Sequence, residues 1–446
     1  MRMLCAGALL FAIGLPAISG PVFTDANWTS LGGNPGLNGQ VMALALNPGT
    51  GALYLGGQFT MAGATPALYV VGWQGTNWFA LGNGFPNFGY NSANARPQLV
   101  TDAAGNLYGL GQNNVAKWNG TNWSNLATNI ALPLAVASDH NGGVYVGGRF
   151  NYVDGALAQN IARWDGTNWS GLGTGCVGQG VTFLGADFAG KLFVGGNFTN
   201  VGGLVSSNIA SWDGTNWFAL GPGLDFSSDS FASGVRDIIA DASGNIYVGG
   251  QYLNAGGDVF SRVAKWDGTN WFTLASSDLG NDTINALALD SAGNLYVAGN
   301  FYSIGRIGIS LTYARNIAKW DGTNWSALGS GVNGQVNALL YDGNGHLLVG
   351  GNFLKAGTNV SPYFAEAIIG TATNPPTLTI SSIASGGVSL SWPLDHVGWR
   401  LQLQSNAPGV GITSNWFTIP GTTNLNATNF PVNPGAGSVF YRLAYP

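Results

Sequence analysis

The chain carries little charge and few of the residues from which most enzymes build their sites. Of 446 residues only 8% are Asp, Glu, Lys or Arg, His occurs 3 times, Cys twice, and Glu366 is the sole glutamate. The 15 Lys and Arg form no cluster, so the electrostatic footprint of a nucleic-acid binder is missing. The scarcity of His and Cys argues against zinc, and no G-x-S-x-G elbow recommends a Ser-His-Asp triad. Beyond the first 20 residues no apolar run is long enough to span a bilayer as a helix. The net charge of −5 is mild and spread along the chain, leaving Asn, Ser, Thr, Gln and backbone to cover the surface.

Residues 1–20, MRMLCAGALLFAIGLPAISG, read as a secretory signal peptide: Arg2, then an apolar run, then small residues at Ala17 and Ser19. Cys5 lies too near the start for a lipoprotein box. Export with this segment removed leaves Cys176 alone, so no intramolecular disulfide forms and stability has to come from packing. Cys176 is expected as a small half-buried residue in a connection, because no flanking cation lowers its pKa.

Glycine is abundant, at 71 residues, and so is a repeat. Residues 293–331 read GNLYVAGNFYSIGRIGISLTYARNIAKWDGTNWSALGSG, in which short apolar runs at 295–297, 317–320 and 325–328 are bounded by Gly, Asn or Asp. Such punctuation marks strands. Asp321-Gly322-Thr323-Asn324 supplies a tight hairpin between the last two runs. A fourth run, 285–289, turns through 290–294 into the first, so one unit is four strands, a to d, in two hairpins. The second Trp of W-D-G-T-N-W recurs at Trp28, Trp78, Trp123, Trp169, Trp217, Trp271 and Trp325, 45 to 54 residues apart. A glycine-ended strand recurs in step at 54–57, 108–111, 145–148, 193–196, 247–250, 296–299 and 348–351. Four-stranded units at this period imply the blades of a propeller. The chain starts with a lone d strand near Trp28 and its last unit lacks one, so the N-terminal strand is expected to complete the seventh blade and remove two open sheet edges.

These residues resemble a known family. A strand ending in Gly195-Gly196, a loop, Trp212-Asp213 and then Trp217 is similar to the kelch-type blade. The wording N-I-A-x-W-D-G-T-N-W-x-x-L-G also resembles repeats of secreted bacterial proteins and of fungal cortical-marker proteins. The resemblance implies an all-β, seven-bladed β-propeller over 21–370 and is nearly silent on activity, since propellers host unrelated functions. The Trp-Asp pairs lack the Gly-His partner of WD repeats. After a linker at 371–376, residues 377–446 alternate as TLTISSI, VSLSW, WRLQLQS, NWFTIP and FYRLAY, which suggests a small β-sandwich. The S-L-S-W run and closing F-Y-R-L look like a fibronectin type III-like module.

Uniform a-to-b and c-to-d turns fall on one face, and connections of variable length on the other. Function in repeat scaffolds usually sits on the variable side. The long variable segments, 82–97, 150–160, 221–234, 251–262, 275–283 and 301–316, offer Tyr90, Arg96, Arg149, Tyr152, Asp154, Asp225, Asp229, Asp258, Arg262, Asp278, Asp282, Tyr302, Arg306, Tyr313 and Arg315. Mixed Asp, Arg and Tyr around a channel suit a glycan or protein ligand, although each alone reads more readily as a solvated loop residue. The resemblance extends to redox propellers that need two His and a Tyr crosslinked to Cys. Here His140 and His346 lie in a-to-b turns and His396 in the C-terminal module, against that activity. The D-x-x-G-N turns carry one acid each, too few for calcium, and their Asp is expected to cap its own turn. The 16 Trp are read as inter-blade packing rather than sugar platforms. The expectation is a secreted or cell-surface, monomeric, non-enzymatic binding module of bacterial source, with no metal, cofactor or nucleic acid. Its alternatives are a lectin with sites between blades and a polysaccharide-acting enzyme using Asp225 or Asp258.

Overall fold

The structure is a computed structural model that describes residues 23–369 and 378–444 apart from internal stretches, the longest being 89–97, 226–233, 277–281, 392–399, 407–415, 420–426 and 432–437. The signal-peptide segment and the linker at 371–376 lie outside the described residues. The chain divides into two compact units, Thr24–Gly370 and one containing Thr371–Pro446.

Among the described residues the first unit contains seven antiparallel sheets, six of four strands and one, the fourth, with the short strand Leu204–Val205 as a fifth, numbered here one to seven in the chain order of their inner strands. Sheet six shows the plan, with Thr283–Leu289, Leu295–Asn300, Ile317–Trp320 and Trp325–Ala327 as strands a to d. Each a strand packs against the a strand of the next sheet, and that of sheet seven packs against that of sheet one, so the order is cyclic. Hydrophobic clusters fill the seams; one joins Ala135, Tyr145 and Ile161 of sheet three to Val181, Val194 and Trp217 of sheet four.

Three local devices make the seams. The first is a β-bulge. In six sheets strand a carries one extra residue, with register slipping at Val41/Ala43, Pro133/Ala135, Val181/Phe183, Val235/Asp237, Ile284/Ala286 and Val336/Ala338. A bulge bends its strand and re-aims a side chain. The extra residue reaches sideways: Asn285 Nδ2 donates to the Val336 carbonyl at 2.7 Å, Asn337 Nδ2 to the Val41 carbonyl at 2.9 Å and Thr182 Oγ1 to the Val235 carbonyl at 3.3 Å.

The second device is the glycine pair ending strand b. A Cβ on the first glycine would meet the next sheet: Gly147 lies 2.4 Å from Val181 Cγ1, Gly195 2.5 Å from Val235 Cγ1 and Gly350 2.5 Å from Val41 Cγ1. A Cβ on the second would strike the chain's own bulge, as Gly196 does the Gly180 carbonyl at 2.3 Å and Gly299 the Thr283 carbonyl at 1.9 Å. The first side chain is excluded by a neighbour, the second by backbone.

The third is the tryptophan hairpin. The two Trp of a hairpin pack against each other at a tilt, with centroids 4.6 Å apart and planes at 59° for Trp73–Trp78 and 5.6 Å and 47° for Trp118–Trp123. The indole N–H of the second Trp crosses to the last leucine carbonyl of the preceding sheet: Trp123 to Leu81, Trp169 to Leu126, Trp217 to Leu172, Trp271 to Leu220, Trp325 to Leu274 and Trp28 to Leu328, at 2.9–3.3 Å. An indole N–H at a buried seam needs a partner.

The N-terminal strand Trp28–Ser30 pairs antiparallel with Phe364–Ile368 as the outer strand of sheet seven. Asn359 Nδ2 donates to the Trp28 carbonyl at 2.6 Å, and the Thr29 hydroxyl to Glu366 Oε2 at 2.7 Å. Asp25 holds the Ser330 amide at 2.6 Å and also its hydroxyl.

Two expectations need correction. The b-to-c connections of most sheets are not loops; each carries a short antiparallel ribbon, such as Tyr152–Val153 with Ala156–Leu157 and Lys355–Ala356 with Asn359–Val360. Cys176 opens the 11-residue strand Cys176–Ala186 and is wholly buried, which pushes its thiol well above the ordinary range.

The second unit has two three-stranded antiparallel sheets, one of Thr379–Ile383, Gly387–Ser391 and Ala427–Pro431, the other of Arg400–Asn406 between Phe417–Thr418 and Ser438–Ala444. Leu390 from one and Leu401 from the other are fully buried in a common cluster. Among the described residues no helix is long and apolar enough to cross a membrane.

Candidate functional site

The residue before strand c sets how each b-to-c ribbon leaves its sheet. Asn160, Asn208 and Asn316 hold φ of 64–68° there, as do Tyr69 at 65° and Tyr363 at 66°. Asn tolerates this left-handed region better than other side chains. Its amide also clamps the ribbon: Asn316 Oδ1 accepts from the Phe301 amide at 3.0 Å while Nδ2 donates to the Val332 carbonyl at 3.0 Å. Asn208 does the same between Phe198 and Leu224, at 3.1 and 2.7 Å. The ribbons are therefore held rigidly at their roots.

The variable-face residues do not converge on one point. Tyr90, Arg96, Asp229 and Asp278 lie outside the described residues. Asp258 falls on a ribbon strand, Asp258–Val259. Arg262 is not a loop residue: it lies in strand Ser261–Trp266, is 5% exposed, and occupies the position that Asn208 and Asn316 hold in their sheets. Asp154 turns its ribbon at φ 45°, and its Oδ1 accepts the amides of Thr128 and Asn129 at 3.1 and 2.8 Å, which occupies that oxygen as a cap. Arg149 and Tyr152 are exposed on the same b-to-c connection of sheet three as Asp154, whereas exposed Asp225 and half-buried Asp282 lie on other links.

Four candidates do come together, on sheet six. Its ribbon is the longest, Ser303–Arg306 paired with Ser310–Tyr313, and it carries Tyr302, Arg306, Tyr313 and the adjoining Arg315. Tyr302 and Tyr313 are 68% and 89% exposed, and the Arg315 guanidinium lies over the Tyr302 ring at 6.0 Å from its centroid. A guanidinium over a phenol ring is held by cation–π attraction and arrives pre-oriented.

On the opposite face the turn aspartates are occupied internally. Asp241 Oδ1 accepts the amides of Ser243 and Asn245 at 2.9 Å, and Oδ2 accepts Asn245 Nδ2 at 2.7 Å and the Tyr247 hydroxyl at 3.3 Å. Asp102 and Asp290 repeat this scheme with Asn106, Tyr108, Asn294 and Tyr296. Burial, and then the Asp241 carboxylate, push the Tyr247 hydroxyl up to about 12. Sheet seven departs from the pattern: His346 replaces the Asn, with Nδ1 2.7 Å from Asp342 Oδ2 and 3.7 Å from Glu366 Oε1. The hydrogen bond to Asp342 raises the His346 pKa against the opposing effect of burial, with the Glu366 charge adding to the rise. Among the described residues no group of three or more His, Cys, Asp or Glu is arranged to hold a metal ion.

The inner strands enclose a channel. A cavity of about 690 Å³ opens at the a-to-b turns of sheets four to seven and has walls of Ile239, Ala240, Ala288, Leu289 and Leu340. Sequence reasoning missed it because alternation along an a strand does not tell which face looks into a lumen.

A family model described as a beta-propeller repeat matches residues 270–300. No curated protein matches the chain. Among solved structures the chain is similar to U3-55K, with a TM-score of 0.50 at 9% identity over 77% of this chain and 99% of that one. It is also similar to the extracellular domain of a putative hybrid two-component system from B. thetaiotaomicron, with a TM-score of 0.49, 11% identity and 88% of this chain covered, and spans 47% of that chain's length. The WD40 β-propeller domain of Doa1 aligns with a TM-score of 0.43 at 12% identity, over 76% of this chain and 94% of that one. At such identity the likeness is one of fold. The repeat match and the cyclic four-stranded sheets make Thr24–Gly370 a β-propeller.

Proposed function

We propose that this is an exported, non-enzymatic binding module of bacterial source: a kelch-type propeller of seven blades closed by its N-terminal strand, followed by a fibronectin type III-like sandwich. Its ligand, a glycan or a protein surface, docks on the variable face at the ribbon of sheet six. The carrying observation is the patch of Tyr302, Tyr313 and Arg315, with Arg306 beside it on the ribbon. Exposed Tyr and Arg on a rigid support are the side chains that dominate binding energy at interfaces, and the Asn316 clamp fixes their base.

Two observations weigh against the rival readings. A lectin with a sugar site on every Trp hairpin needs free indole edges, whereas six indole N–H groups are bonded to the preceding sheet. A hydrolase built from variable-face acids needs free ones, whereas Asp154 is engaged as a cap.

A glycan array probed with residues 21–446, followed by calorimetry on any hit, tests the proposal. One ligand per chain is expected, with affinity falling at least about tenfold in Tyr302→Ala/Tyr313→Ala. Several ligands per chain would support the lectin instead, and turnover lost in Asp225→Asn the enzyme. If no glycan binds, the protein-ligand arm is tested by whether the same double substitution abolishes capture of a partner.

A further inference from the structure

The 690 Å³ cavity lies within the volumes typical of small-ligand sites and is on the face away from the sheet-six ribbon, so it is independent of the proposal above. Its walls are almost wholly apolar. Ile239, Ala240, Leu289 and Leu340 are only half-buried, although each sits on an inner strand at the centre of the ring. Their exposed parts therefore face the lumen, and covering them removes apolar surface from water.

The mouth is rimmed by acids, one of which, Asp342, is paired with His346 at 2.7 Å. Asp187, Asp241, Asp290 and Asp342 stand at the rim, with Ser291 and Tyr341 between them, their hydroxyls 3.3 Å apart. No Lys or Arg lines this cavity. The nearby Lys191 ammonium lies over the rings of Phe193, which lines the cavity, and Phe218, on an outer strand. Deeper in the channel Arg236 and Asp237 line a second chamber of about 270 Å³ as neighbours of opposite sign. The Asp241 and Asp290 oxygens are already hydrogen-bonded within their turns, so the rim acts through its field rather than by gripping a ligand directly.

The geometry points to a second binding site in this cavity, for a small amphiphilic cation whose apolar body fills the lumen and whose ammonium group stays at the ring of four carboxylates. An anion of the same shape is repelled at the rim, and a neutral analogue has the apolar contact alone.

Three matched probes, 4-phenylbutylammonium, 4-phenylbutanol and 4-phenylbutyrate, titrated into the intact chain by calorimetry and ligand-observed NMR, test this. The ammonium should bind once per chain and on the order of tenfold more tightly than the carboxylate at low salt, with the alcohol between and the difference shrinking as salt rises. Ala242→Lys/Ser291→Lys places two cations at exposed rim positions where folding is not at stake, and should erase or invert the order. Tyr302→Ala/Tyr313→Ala should leave it unchanged. The inference is overturned if the three probes bind equally, if none binds at millimolar concentration, or if the rim lysines leave ammonium binding intact.

Discussion

At the residue scale the molecule uses small polar side chains for tasks that elsewhere fall to ion pairs. Asn316 shows how much one amide can hold: a left-handed backbone at φ 64°, a ribbon amide and a carbonyl of the next connection. Both Asn316→Gly and Asn316→Ala lose the two hydrogen bonds, but only Ala also meets the left-handed backbone with a Cβ, so denaturant melts should place Ala below Gly by about 1 kcal/mol. Equal losses would mean that the conformation is not strained. His346 makes a second residue-scale case, this time with pH. Its folded pKa is raised, so the stability it contributes is complete below its unfolded value of about 6.5 and is lost as pH rises through the folded value. For Asp342, burial pulls the pKa up but His346 and the turn amides outweigh it and hold it down, so its contribution is lost as pH falls through that lowered value. His346→Asn installs the residue found in the turns of sheets two, five and six, and melts between pH 5.5 and 8.5 should then lose the alkaline decline; an unchanged slope would assign it elsewhere. The repeat made Asn316 visible as part of N-I-A, but nothing in period-2 alternation announces a positive φ or a clamp.

At the scale of the element, the glycine pair and the bulge explain each other. The sequence displays the pair because two different obstructions exclude side chains there, one of them softer. Ala298 stands at the first position in sheet six and is accommodated, whereas the second position is Gly57, Gly111, Gly148, Gly196, Gly250, Gly299 and Gly351 in the seven sheets. Gly195→Ala meets a valine methyl that can shift and should cost about 1–2 kcal/mol, while Gly196→Ala meets a carbonyl 2.3 Å away and should cost about 3 kcal/mol or more. Reversed costs would contradict this account. The bulge itself was not legible, since one extra residue leaves alternation intact on either side. The ribbons were not legible either: two-residue strands have no period, so they read as loops, and Arg262 was misplaced with them because Ser261–Trp266 starts two residues before the apolar run it was credited with.

At the scale of the whole ring, what the sequence conveyed was the repeat and its order, because Trp and Gly-Gly recur wherever the seams demand them. It conveyed less of the candidate site. Fifteen polar residues were legible as belonging to one face, but among those described Tyr302, Arg306, Tyr313 and Arg315 gather on one ribbon, and sequence spacing does not report which loops share a ribbon. The seam joining Trp28–Ser30 to Phe364–Ile368 should be worth far more than its three residues, since deleting residues 20–33 exposes the edge of sheet seven and removes the Trp28 indole. A melting temperature unchanged by that deletion would show that the ring does not depend on this strand. There is a consequence for the order of events as well. Thr29 and Glu366 are 337 residues apart, so Trp28–Ser30 meets its partner strand only after the intervening sheets have been synthesised. Closing the ring is therefore a long-range contact, of the kind whose loop-closure cost slows folding.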